Sequence, residues 1–256
     1  MSAVTVWLPK QYGAWAMLLA PSVAGGLMAG FKWPNWLLLA AWVVAYLSFT
    51  ATRGALGRRQ RRFHAVAAVT YGVFAVAAIA VLLVWRLALV WWAIPLGVLL
   101  GGSLALITAG RERSAVNDAC LIGASCLVTA VSGTCLHLSQ SLGWAAFTDA
   151  IKQPPVWLAT AVMAAYFLGT IPYIKSMIRE RGNPAWYAGS VAYHWVVVLL
   201  SVLTMHAWLI VFAVLIALRA TLVPRLWPRA KPKYLGIGEM TGTVIILLII
   251  GLTLAG

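Results

Sequence analysis

Long apolar runs alternate with short polar connections along the whole chain. Runs of helical length occupy about 13–31, 33–52, 64–84, 87–108, 115–137, 155–174, 186–204, 206–223 and 237–255. Each approaches the roughly 20 apolar residues that a helix needs to cross the hydrocarbon layer, so the pattern predicts an all-α bundle of nine membrane-spanning helices. The seventh and eighth are the least clearly divided: residues 188–223 carry no charge except Arg219, and only Met205-His206 signals a turn. At 1.5 Å per residue those roughly 36 residues would extend about 54 Å, too far for one crossing even when tilted. Two helices fit better. The first run contains Ser22-Val23-Ala24, a small-residue triplet like those at signal-peptide cleavage sites; the expectation is that the segment is retained as a span.

Of 256 residues, 63% are hydrophobic and 9% charged, and the mean hydropathy is +0.92. These values belong to an integral membrane protein. Nine spans leave too few residues for a separate soluble domain, so residues 1–256 are expected to form one transmembrane domain. The net charge is +14, from 19 Lys and Arg against five acids. In a soluble protein that excess would suggest a nucleic-acid partner; here no nucleic acid is expected, because the basic residues are concentrated in alternate connections. Arg53, Arg58, Arg59, Arg61 and Arg62 fall in the second connection, Arg111 and Arg113 in the fourth, and Lys175, Arg179 and Arg181 in the sixth. Arg219, Arg225, Arg229, Lys231 and Lys233 are assigned to the eighth. With Lys10 these place 16 cations on one side against Lys32, Arg86 and Lys152 on the other. The positive-inside rule then puts the N-terminus in the cytoplasm and the C-terminus outside. Trp33, Trp36, Trp85, Trp91, Trp92, Trp144, Trp157 and Trp208 gather near the predicted outer ends as interfacial anchors. The outer connection 138–154 is expected to be an irregular lid or an interfacial segment.

Cys120, Cys126 and Cys135 are spaced by six and nine residues, on different faces of a helix, and are expected to be small core residues. Gly26 with Gly30, Gly97 with Gly101, and Gly238 with Gly242 have the four-residue spacing that permits close helix approach. No P-loop, HExxH, CxxC or GxSxG motif is present, and no pair of helices carries the several aspartates that would hold magnesium on a diphosphate. Neither a metal nor a cofactor is expected.

Polar groups near the membrane lie mostly on the predicted cytoplasmic side, including Glu112, Asp118, Glu180 and Glu239, with only Asp149 outside. Thr108, Arg111, Ala115 and Asp118 recur every three to four residues and are expected to form one polar helix face; Lys175 and Arg179, at i and i+4, are expected to project together. Glu239 and Thr243 repeat that step, and Lys10 and Gln11 enter the first span. Cations at helix ends also snorkel to headgroups without any ligand. That account is weaker for Asp118, Lys175 and Glu239, since acids contribute little to anchoring and intramembrane charge is costly. His194 lies about 10 to 15 Å into the bilayer, either in a helix–helix hydrogen bond or in a polar pocket.

Pro9-Lys10-Gln11-Tyr12-Gly13-Ala14-Trp15-Ala16-Met17, the segments beginning at Arg111 and at Lys175, His194, and Gly236-Ile237-Gly238-Glu239 together resemble the YwiC-like family of bacterial membrane proteins. The family motif has His where this chain has Tyr12, which argues against a required imidazole there. The resemblance implies a bacterial cytoplasmic membrane and brings no reaction with it. The helix count and the two termini also look like the UbiA-type prenyltransferases, a fold that places its chemistry on cytoplasmic loops; their aspartate–magnesium site is not matched here.

The expected function is recognition of an anionic lipid or isoprenoid phosphate in a cytoplasm-facing polar cavity of a UbiA-like bundle. Lys10, Arg111, Lys175 and Arg179 would meet the headgroup, with Gln11, Asn117 and Asn183 beside them. Asp118, Glu180, Glu239 and His194 are the candidates for orienting those cations or moving a proton. A transferase, a transporter or flippase, and a non-catalytic assembly partner are the competing outcomes. A transporter would need a polar path or broken helices through the bilayer, for which Pro95 and Pro172 are the candidates.

Overall fold

The computed structural model describes Trp7 and residues 12–56 and 61–255, and every regular element among them is helical. Lys10, Gln11, Arg58 and Arg59 lie outside the described residues. The helices are α1 (Tyr12–Met28), α2 (Trp33–Leu56), α3 (Arg61–Trp85), α4 (Ala93–Thr108), α5 (Ala115–Thr134), the short α6 (Trp144–Ala150), α7 (Pro154–Met177), α8 (Pro184–Val202), α9 (Ala207–Leu226) and α10 (Pro232–Thr253). A 3-10 segment, Leu87–Trp92, leads into α4. Among the described residues, eight helical stretches are long and apolar enough to cross a membrane, and α1 is a shorter apolar helix. The long run 188–223 is divided at Met205-His206: Met205 takes the left-handed φ of 57°, which turns the chain between α8 and α9.

Local chemistry explains where several helices begin and end. Ser114 accepts a hydrogen bond from the Asn117 N–H and Asn183 one from the Ala185 N–H, capping α5 and α8. Pro184 and Pro232 occupy first-turn positions, where a missing N–H costs nothing. Pro95 falls in the first turn of α4, and Pro172 lies within a continuous α7, so neither breaks a span. Gly110 and Gly182 adopt φ of +72° and +84° in the turns after α4 and α7, a region that side-chain-bearing residues avoid.

The described residues form two compact units that meet in sequence between Thr160 and Ala161. In the first unit α1 packs on α5 and α2 on α3. A side chain at Gly25 would stand 2.3 Å from the Thr129 carbonyl, so the two backbones touch there. Asn35 is buried and donates to the Ser132 carbonyl at 2.8 Å and the Ser132 hydroxyl at 3.1 Å. Gly97 and Gly101 have nothing within 4 Å, and Gly30 lies in a turn, so the predicted close approaches do not occur at those positions; only packing reveals which glycine faces a neighbour. Cys126 and Cys135 are buried free thiols and Cys120 is half-buried.

The connection 138–154 is ordered around α6, whose Phe147 is buried against Trp92, with ring centroids 5.6 Å apart. Trp33, Trp36, Trp144 and Trp208 are exposed as interfacial residues should be, whereas Trp92 is core. Along α3 the exposed residues include Val66, Val69, Val73, Phe74 and Val84, an apolar surface suited to lipid.

The second unit comprises α8, α9, α10 and the part of α7 from Ala161. Val198, Ala213 and Ala217 join α8 to α9, and Tyr173, Met177, Ala220 and Leu235 form a second cluster. Between α8 and α9 the Tyr187 hydroxyl donates to the Thr221 carbonyl at 2.9 Å and the Trp195 indole N–H to the Thr221 hydroxyl at 3.3 Å.

Candidate functional site

Two charges stand within the helices of the second unit rather than at their ends. Arg219 was expected in the connection after the eighth span, but it belongs to α9; Glu239 is on α10. At 1.5 Å per residue each lies about 10 Å inside its helix, counted from Leu226 and from Pro232. The Arg219 guanidinium approaches the Glu239 carboxylate to 2.8 Å, with the two side chains 18% and 11% exposed. Intramembrane charges are tolerated when they meet such a partner. Nη2 is the guanidinium nitrogen that meets Glu239 Oε1, and Arg219 Nε is buried without a hydrogen-bond acceptor.

Two tyrosines of α7 frame the pair. The Tyr166 hydroxyl lies 3.1 Å from Glu239 Oε2 and 2.9 Å from the Glu239 carbonyl oxygen. The Tyr173 ring lies 4.5 Å from the Arg219 guanidinium carbon, a cation–π distance. Gly242 makes room for Tyr166: a side-chain carbon there would be 2.4 Å from the tyrosine oxygen. Thr243 is buried beside them and donates to the Glu239 carbonyl at 2.8 Å.

Arg219 also lines a cavity of about 910 Å³. Its wall carries Arg229 and Lys231 from the connection between α9 and α10, together with the aromatic faces of Tyr173, Trp227 and Tyr234. Three cations and an apolar wall suit a ligand with an anionic end and a hydrocarbon end. Arg219 and its aromatic neighbours were not singled out as site residues from the sequence. The available signal was a lone arginine in an otherwise uncharged run.

The sequence-derived candidates are placed variously. Glu239 is at the centre of the pair. His194 is buried on α8, with Nδ1 2.7 Å from the Ser190 carbonyl, and its Nε2 would lie 2.9 Å from a side-chain carbon at Gly169. Lys175 is buried, 5.7 Å from the Trp186 ring centroid. Arg179 is exposed, because α7 ends at Met177 and the i, i+4 relation is lost in the turn that follows. Glu180 and Asn183 shape that turn, the Asn183 amide donating to Glu180 Oε2 at 3.4 Å.

In the first unit, Arg111 is exposed and Asp118 half-buried. The predicted single polar face is broken, since Arg111 lies in the turn between α4 and α5. Asn117 is buried: its side-chain oxygen accepts from Ser103 at 2.7 Å and its amide donates to the Glu112 carbonyl at 2.7 Å. Arg53 at the end of α2 meets Glu112 at 3.6 Å.

A family model described as YwiC-like protein matches residues 8–133. A Bacillus subtilis protein named uncharacterized protein YwiC is 28% identical over 242 residues, 94% of this chain and 95% of its own. An uncharacterized protein of Haemophilus influenzae is 25% identical over 187 residues, 73% of this chain and 74% of its own. No solved structure matches the chain.

Proposed function

This chain belongs to the YwiC-like family and is an integral protein of the bacterial membrane, and from that premise we propose that it binds an anionic amphiphile, a lipid or isoprenoid phosphate. The observation that carries the proposal is the cavity of about 910 Å³ lined by Arg219, Arg229 and Lys231 and walled by Tyr173, Trp227 and Tyr234. Clustered cations hold a phosphate without an intervening metal, and arginine does so through paired N–H donors. The aromatic wall takes the first part of the tail. Lys175, buried against Trp186, adds a fourth cation to the same unit.

The finer architecture belongs to the same proposal. α1 completes nine spans in a UbiA-like bundle, its N-terminal side is cytoplasmic and the C-terminus external, and the basic α9–α10 connection places the cavity mouth at the cytoplasmic face. Among the outcomes, a transferase acting on the bound amphiphile is favoured over a flippase because α7, with Pro172, continues unbroken past the cavity residues. Glu239 and His194 are then the groups available for moving a proton.

The test is native mass spectrometry of the protein extracted in mild detergent, with and without EDTA, followed by titration with dodecyl phosphate. Retention of a phosphate-bearing amphiphile in EDTA, with affinity lowered at least about tenfold in the Arg229→Ala, Lys231→Ala double variant, is the expected outcome. Binding that requires Mg²⁺, or that ignores the double substitution, would overturn it.

A further inference from the structure

We propose that Glu239 occupies Arg219 in place of the ligand, and that an incoming anion displaces it while one proton joins the Glu239 carboxylate. This rests on the proposed anion-binding cavity and adds to it a coupling between the anion and a proton. The relevant geometry is that Arg219 faces two ways. One side of its guanidinium holds Glu239 at 2.8 Å, and the residue also lines the cavity. While Nη2 serves Glu239, Nε is buried without a hydrogen-bond acceptor, so one donor suited to an anion remains unused. Tyr173 keeps the guanidinium in place whichever anion it serves.

The exchange conserves charge. Before it, the guanidinium is balanced by the carboxylate; afterwards it is balanced by the ligand anion, and a proton from water neutralises Glu239. Without that proton, two anions would share one cation in a low-dielectric setting, which is strongly unfavourable.

Tyr166 makes both states satisfiable. A hydroxyl has one hydrogen to donate and two lone pairs to accept with, and it stands within hydrogen-bond distance of both Glu239 Oε2 and the Glu239 carbonyl. While Glu239 is ionised, Tyr166 donates to Oε2. Once Glu239 is protonated, Tyr166 turns its hydrogen to the carbonyl and accepts the new carboxyl proton. No side chain has to move for this reversal. The groups facing Glu239 are Arg219 from α9, Tyr166 from α7 and Thr243 on its own helix; Tyr173 of α7 bears on it through Arg219.

The exchange is read by calorimetric titration of the full-length protein in mild detergent with dihexyl phosphate, a diester whose single charge is constant across the working pH range. Repeating it in two buffers of different ionisation enthalpy counts the protons taken up. The expected result is uptake of about one proton per anion, with affinity falling about tenfold per pH unit where Glu239 is ionised. In Glu239→Gln the uptake disappears and the affinity is higher and independent of pH. Binding with no proton uptake in the wild type, or uptake unchanged in Glu239→Gln, would overturn the exchange and leave the anion site standing. No binding of dihexyl phosphate at all would overturn the anion site itself, and the wild-type proton count decides the matter even if one variant does not fold. Dimethyl phosphate, the same charge without chains, serves as the control: affinity equal to that of the dihexyl ester would overturn the amphiphile as ligand.

Discussion

Arg219 on α9 and Glu239 on α10 form an ion pair at 2.8 Å about 10 Å inside their helices. A buried pair is less a source of stability than a mutual obligation. Removing one member strands the other charge, at a cost of about 3–5 kcal/mol, whereas replacing both with apolar residues is often neutral. Glu239→Ala should therefore lower the thermal midpoint in detergent sharply. Arg219→Leu with Glu239→Leu should restore most of the loss while abolishing anion binding. Equal destabilisation by the single and the double changes would mean that the pair is not the energetic unit.

Glycine matters at Gly242 and not at Gly97, although both sit in apolar helices. A methyl group at Gly242 would overlap the Tyr166 oxygen at 2.4 Å, while one at Gly97 meets nothing within 4 Å. Gly242→Ala is expected to cost about 1–3 kcal/mol through overpacking and to disturb Glu239 through Tyr166. Gly97→Ala should be neutral or slightly stabilising, since alanine favours a helix. Thermal unfolding of the two variants side by side checks the contrast.

Asn117 spends its amide on the structure. Its oxygen is held by Ser103 and its nitrogen by the Glu112 carbonyl, which fixes the turn between α4 and α5. Asn117→Ala leaves the buried Ser103 hydroxyl without this partner, at about 1–3 kcal/mol. Stability should fall and dodecyl phosphate affinity should stay within about twofold of wild type. A large loss of affinity at unchanged stability would return Asn117 to the ligand.

Sidedness is checked by reporter fusions and by accessibility of introduced cysteines. The sequence assigns 16 cations to one side and three to the other, so residues 226–234 are expected to be reached from the cytoplasm and Gly256 from outside. The opposite result at either position would move the cavity mouth to the external face.

The spans were legible in the sequence because a helix satisfies its backbone within one segment, so that a run such as 206–223 declares itself without reference to any other. The division at Met205-His206 was legible for the same reason, since a bilayer cannot contain so long a helix. By itself the sequence also determined the family resemblance, the concentration of charge at alternate connections and the choice of Glu239 as a candidate. Tertiary structure alone decided the partners. Arg219 reads as one more basic residue near a helix end until Glu239, twenty positions later, is seen beside it. Lys175 and Arg179 share a helical face on paper, yet α7 ends between them, leaving one buried and the other exposed. Gly25 and Gly133 touch neighbouring helices, whereas Gly97 and Gly101, with the more recognisable spacing, do not. The physical reason is common to all three. Periodicity specifies which residues share a face, but what that face meets depends on the rotation and packing of helices that are distant in sequence.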